Sequence, residues 1–251
     1  MNITIANISD ISDDDFATAV ADIGTQVTRD FAPEWGCSAT LTPVRLDLTA
    51  PQVEVDDQSD AYVYVGGTYN DSTTGVDEAY GYHALNGNGV PYSFVYLDVC
   101  KKAGESWTQT LSHEVLEMLI DPNGLYHVAG PSPDDGATVM YGHEVCDPTQ
   151  GDKYNVNSTE VCNFVTKAYY GQPGGMPNTN FLALKLPPFG VRPNGYVQYF
   201  QNKSVQRING SRLSPKRIAA RELLGGHRRN AKRAAQLKVK ASTKRIPTSK
   251  G

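Results

Sequence analysis

The run Ser112-His113-Glu114-Val115-Leu116-Glu117-Met118 constrains this chain more than any other, because the residues around it place it on a single helix. Trp107, Leu111, Val115, Met118 and Leu119 recur at helical spacing and form one apolar stripe. Ser106, with Gln109 three residues on, reads as a capping box, and Pro122 after Asp121 stops the helix near Ile120. The expected helix covers residues 107–120. His113 and Glu117, four apart, then share the face opposite the stripe, with Glu114 beside them.

That face carries two metal ligands and a general base on one turn. It has the logic of a His-Glu-x-x-His zinc helix whose second histidine is replaced by glutamate, and zinc accepts imidazole nitrogen and carboxylate oxygen alike. Leu116 and Ile120 lie on the same side, so the pair is half-buried and needs a partner, which a cation supplies. A zinc site takes a third protein ligand and leaves the fourth position to water. The third ligand is expected in Tyr141-Gly142-His143-Glu144-Val145-Cys146-Asp147-Pro148, with Glu144 ranked first, His143 second and Asp147 third. One Zn²⁺ is the expected ion, although a carboxylate-rich site also suits manganese or iron. Tyr141, Tyr154, Tyr169 and Tyr170 are the candidate oxyanion donors, with His83 and His127 as further groups that could approach.

Ser-His-Glu-x-x-Glu followed by Asp-Pro, and then the Glu144 to Asp147 segment beside a cysteine, resembles the zincin-type metallopeptidases that use a second glutamate. It also resembles the plant phosphate-induced (Exordium-like) proteins and their bacterial relatives. Gln26 to Gly36 and Ser112 to Pro122 look like stretches shared with a group of uncharacterised bacterial and phage proteins. The resemblance covers about residues 1–200. It implies His113, Glu117 and Glu144 as ligands and Glu114 as the base. One departure is that Cys146 precedes Asp147, whereas the Exordium-like pattern has its cysteine after the aspartate.

With 251 residues, 39% of them hydrophobic, the chain can bury a full core. No stretch approaches the ~18 apolar residues of a membrane span. The start, Met1 to Ile5, lacks a basic region followed by an apolar run, so no cleaved secretion signal and a cytoplasmic or virion-associated protein are expected. Cys37, Cys100, Cys146 and Cys162 form no Cys-x-x-Cys pair and read as reduced, buried thiols, with Cys146 and Cys162 the pair a bridge could join. The formal charge of −4 hides a division. Residues 203–251 hold 15 of the 23 Lys and Arg but only one acid, Glu222, a formal +14 that leaves −18 for residues 1–202. Such a basic tail is a candidate binder of phosphate backbones or of a partner chain, and its lack of aromatics argues against base stacking. Helices are expected at about 215–224 and 227–238.

The expected fold is α+β: a zincin-like mixed sheet with an active-site helix over residues 1–122, a loop-rich half over 123–202, and the basic tail. Strands are expected at 2–6, 38–48 and 61–66, a helix at 13–31 capped by Ser12, and a hairpin of 80–85 with 91–99 around Asn86-Gly87-Asn88-Gly89. Residues 92–99 would be the edge strand on which an extended peptide substrate pairs. Two functions are expected from different classes. One is a zinc peptidase in which the ion acidifies water and Glu114 takes its proton. The other is a non-catalytic assembly component, such as a phage particle protein, with a structural or vestigial metal site and a docking tail.

Overall fold

The computed structural model describes residues 1–46, 59–67 and 81–210. Its helices are α1 (Asp13–Thr25), α2 (Ala32–Trp35), α3 (Leu97–Ala103) and α4 (Trp107–Ile120). The strands β1 (Asn2–Asn7), β2 (Thr40–Arg45), β3 (Ala61–Val65), β4 (Gly81–Leu85) and β5 (Pro91–Val95) form one sheet in the order β2-β1-β3-β5-β4. Pairing is parallel from β2 through β1 and β3 to β5, and β4 runs antiparallel beside β5. Ile3 through Asn7 are all buried, as strands covered on both faces require. The fold is mixed α and β, in keeping with α+β.

The hairpin forms where Asn86 to Gly89 place it. Asn86 Oδ1 accepts from the N–H groups of Asn88 and Val90, and Gly89 takes φ 82°. The expected edge strand over 92–99 does not form. β5 stops at Val95 and lies inside the sheet, between β3 and β4, while Leu97–Ala103 is helical. Gly104 was the overlooked signal: at φ 71° it closes α3, and its N–H and that of Glu105 return to the carbonyls of Lys101 and Cys100. Among the described residues the edge next to α4 is therefore β4.

The helix expected over 13–31 starts on Ser12, whose Oγ accepts from Asp15 N–H at 3.2 Å. It continues as α1, a π-helical turn over Gln26–Phe31, and α2, and Gly36 ends it at φ 74°. α4 is buried on every side from Thr108 to Met118. It lies between β4 and β5 on one side and the hairpin of β8 (Lys153–Val156) and β9 (Thr159–Cys162) on the other, so the half-exposed polar face expected from the stripe is enclosed. Its Ser106 cap holds, but the capping box does not close. Ser106 Oγ accepts from Thr108 N–H, while Gln109 Nε2 donates to the Gln150 carbonyl 2.9 Å away.

Beyond α4, β6 (His127–Pro131), β7 (Thr138–Gly142), β10 (Tyr196–Gln201) and β11 (Ser204–Asn209) form an antiparallel sheet in the order β11-β10-β7-β6. Because β11 pairs with β10 along its length, the folded body runs past the boundary drawn at residue 202. The helices expected in the basic tail lie outside the described residues.

Gln26 to Gly36 ties this second half to the first. Gln26 Nε2 donates to the Cys162 carbonyl, Asp30 accepts from Tyr154 OH, and Trp35 Nε1 donates to the Val165 carbonyl. Glu34, 1% exposed, accepts the backbone N–H groups of Lys167 and Met176, each at 2.6 Å. A side chain at Gly175 would collide with the Glu34 carboxylate. Glu34→Ala is expected to cost about 3–5 kcal/mol, since two charge-assisted bonds vanish and two N–H groups are stranded. Urea denaturation measures this, and a loss under ~1 kcal/mol would contradict the assignment.

Candidate metal centre

α4 and the segment from His143 to Asp147 bring the proposed chemistry together. His113 Nε2 lies 3.1 Å from Glu117 Oε2 and 3.3 Å from Asp147 Oδ1, and all three side chains are buried. The other Glu117 oxygen accepts from Cys146 N–H at 3.3 Å. Burial opposes the His113 imidazolium, yet the neighbouring carboxylates of Glu117 and Asp147 outweigh it and hold the imidazole well above its usual range. The imidazole thus sits between two carboxylates that favour its protonated form. The short helical turn Asp147–Thr149, opened by Pro148, fixes the Asp147 end of this arrangement.

Sequence reasoning ranked the third ligand differently. Asp147, placed third, is the carboxylate that meets His113. Glu144, placed first, is buried nearby, and its charge bears on Asp121 and Tyr170. Neither Glu144 nor Asp147 is in a group of three or more close ligand atoms among the described residues, so Asp147 is distinguished by its contact with His113 alone. His143, placed second, packs edge-on against the rings of Trp35 and Tyr170, with centroids 5.4 and 5.0 Å away. Glu144 and Asp147 both turn inward, and a loop's letters do not say which of two buried carboxylates lies beside His113. Cys146 was missed as a donor altogether. Its sulfur, the Glu117 carboxylate and the His113 imidazole offer ligand atoms within 4.8 Å of one another. The Cys146 and Cys162 sulfurs are 3.5 Å apart and unbridged, and burial raises the Cys146 thiol well above its usual range. Cys37 is only half-buried, unlike the other three.

Glu114, 2% exposed, reaches the opposite wall. Its Oε2 lies 3.4 Å from Ser93 Oγ on β5 and 3.6 Å from His83 Nδ1 on β4. His83, Glu114 and Glu117 again offer ligand atoms within 4.8 Å of one another. Acid is concentrated here: Glu114, Glu117, Asp121, Glu144 and Asp147 are all buried, while no described Lys or Arg is. Burial, with Glu144 nearby, raises the Asp121 carboxyl, even though Asp121 accepts the N–H groups of Leu125 and Tyr126. A donor set of imidazole and carboxylate, with too little positive charge to balance it, fits a divalent transition-metal ion.

Three of the four candidate oxyanion donors commit their hydroxyl protons away from the ligands. Tyr141 donates to the Pro131 carbonyl, Tyr154 to Asp30 and Tyr169 to the Gly190 carbonyl. Tyr170 donates to the Glu144 carbonyl at 3.3 Å, and burial plus the charges of Glu144, Glu117 and Asp147 raise its hydroxyl well above the usual range. It is thus the one of the four whose hydroxyl is bonded within the His143 to Asp147 segment. His127 packs instead against Phe200.

Burial lowers His143 to about 4, so the folded state keeps it neutral. A folded value below the unfolded ~6.5 adds stability that is complete above pH 6.5 and is lost as pH falls towards 4. The loss expected is about 3 kcal/mol. His143→Phe, which fills the aromatic slot without titrating, should flatten this limb in metal-free denaturation curves. An unchanged limb would contradict the assignment.

Comparison with family models, with curated proteins and with solved structures finds no match to this chain. Among the described residues no helix is long and apolar enough to cross a membrane.

Proposed function

We propose that this protein is a zinc-dependent peptidase of zincin-like design. The observation that carries the reading is the placement of His113 Nε2 within 3.3 Å of both the Glu117 and Asp147 carboxylates, with Glu114 one residue along the same buried helix. A purely structural ion has no use for Glu114. The antiparallel edge strand β4 beside α4 supports the same reading, since an extended peptide can add to such an edge by main-chain hydrogen bonds.

His113, Glu117 and Asp147 would hold the ion, with Cys146 and Glu144 close at hand. A bound divalent ion supplies Lewis acidity, lowering the pKa of a water and polarising a carbonyl. Glu114 takes the proton from the attacking water and passes it to the leaving amine. Ser93 Oγ donates to its carboxylate, and His83 lies 3.6 Å away. Tyr170 would be the candidate to steady charge developing on the substrate, once its hydroxyl leaves the Glu144 carbonyl.

The test is cleavage of a peptide library by the full chain loaded with Zn²⁺, stripped by chelator and then reloaded. Cleavage that disappears and returns with the metal is expected. Metal retained without cleavage under any loading would overturn the peptidase reading and favour an assembly component with a structural ion.

A further inference from the structure

His83 is the least explained buried group in this region. It is 2% exposed on β4, and neither ring nitrogen makes a hydrogen bond. Glu114 Oε2 lies 3.6 Å from Nδ1, too long for a hydrogen bond, and the charge of Asp121 also bears on the ring. Leaving an imidazole dry and unsatisfied costs free energy unless something absent from the protein itself binds it. Next to it stand Glu114 and Glu117, so the three offer one nitrogen and two oxygens within 4.8 Å of one another.

Glu117 belongs to both donor groups. It meets His113 and Cys146 on one side and His83 and Glu114 on the other. A carboxylate has two oxygens and can bridge two cations, and bridged pairs in hydrolytic centres lie about 3.5–4 Å apart. The charge balance points the same way. The carboxylates of Glu114, Glu117, Asp121, Glu144 and Asp147 are all buried, and no described Lys or Arg is buried.

We propose that α4 carries a second divalent-cation site, formed by His83, Glu114 and Glu117, that shares Glu117 with the first. The inference rests on the reading that His113 and Glu117 bind an ion, and it turns that site into a two-ion centre spanning α4 and β4. His83 is then a ligand held by the sheet edge. Glu114 binds the second ion through Oε2, the oxygen facing His83, and its other oxygen still takes a proton. Imidazole with two carboxylates suits Mn²⁺, Fe²⁺ or Zn²⁺, and Mn²⁺ is the useful probe because it is paramagnetic.

The experiment uses the full chain, stripped by chelator, equilibrated with Mn²⁺ and dialysed. Bound metal is counted and electron paramagnetic resonance spectra are recorded. Two ions per chain with an exchange-coupled spectrum are expected for the wild type. His83→Ala should hold one ion, with the coupling gone. The wild-type spectrum needs no substitution, so a His83 variant that fails to fold leaves the proposal open to refutation. A wild type that binds any number other than two, or two uncoupled ions, overturns it. So does a folded His83→Ala that still holds two. Two coupled ions without peptide cleavage would refute the peptidase reading alone, and cleavage with a single ion would refute this one alone.

Discussion

Exchanging Glu114 for Gln is expected to slow peptide cleavage by about 10²–10⁴-fold while the ion at His113 and Glu117 stays bound. The change keeps the volume of a side chain that is 2% exposed and hydrogen-bonded to Ser93, so packing between α4 and β5 is preserved. It removes the ability to accept a proton, and it also weakens residue 114 as a ligand of the proposed second ion. The site excludes bulk water around this residue, so no solvent base replaces it. Measuring kcat/KM and bound metal on the same preparation separates the outcomes. An unchanged rate would refute the role of base, whereas loss of the ion at His113 would mean that Glu114 is first a ligand of that ion.

Zn²⁺ at about a thousand times its Kd is expected to add about 4 kcal/mol to folding stability. For a body of this size that is a rise of roughly 8–16 °C in Tm, reversed by chelator. The physical reason is that the ligands come together only in the folded state. His113 and Glu117 are carried by α4, whereas Asp147 arrives from a turn 30 residues further along, so the ion binds the native chain and not the unfolded one. The ion must displace the proton that Glu117 and Asp147 hold on His113, so affinity should rise with pH. His113→Ala should abolish the gain. In the metal-free state it should itself cost about 3–5 kcal/mol, because Glu117 and Asp147 lose the cation between them. A thermal scan with and without Zn²⁺ that shows no shift would remove the metal from the site.

Several pieces were legible because they depend on neighbours in sequence. The position of α4, the Ser12 and Ser106 caps, the Asn86 to Gly89 hairpin and the shared face of His113 and Glu117 all follow from local spacing and turn chemistry. Local reading misled where two signals competed. Pro91 to Val99 reads as one extended run, and Gly104 had to be weighed to see that Leu97 begins a helix. Gln109 matched a capping box, but the Gln150 carbonyl was a better partner, supplied by a residue far along the chain. The distinctive stretch Gln26 to Gly36 was recognisable without being understood. Its polar residues hold the second half of the molecule in place, and nothing in the letters names their partners.

The sequence by itself determined that one helix presents a histidine and two glutamates, and that a second acidic segment follows within reach, because helical periodicity fixes those directions over a few residues. Only the tertiary structure decided that Asp147 meets His113, that β4 forms the edge among the described residues, and that His83 lies beside Glu114. Those choices depend on how the loop and strand side chains meet once the β8–β9 hairpin and the sheet close around α4. That closure is set by packing between residues far apart in the chain.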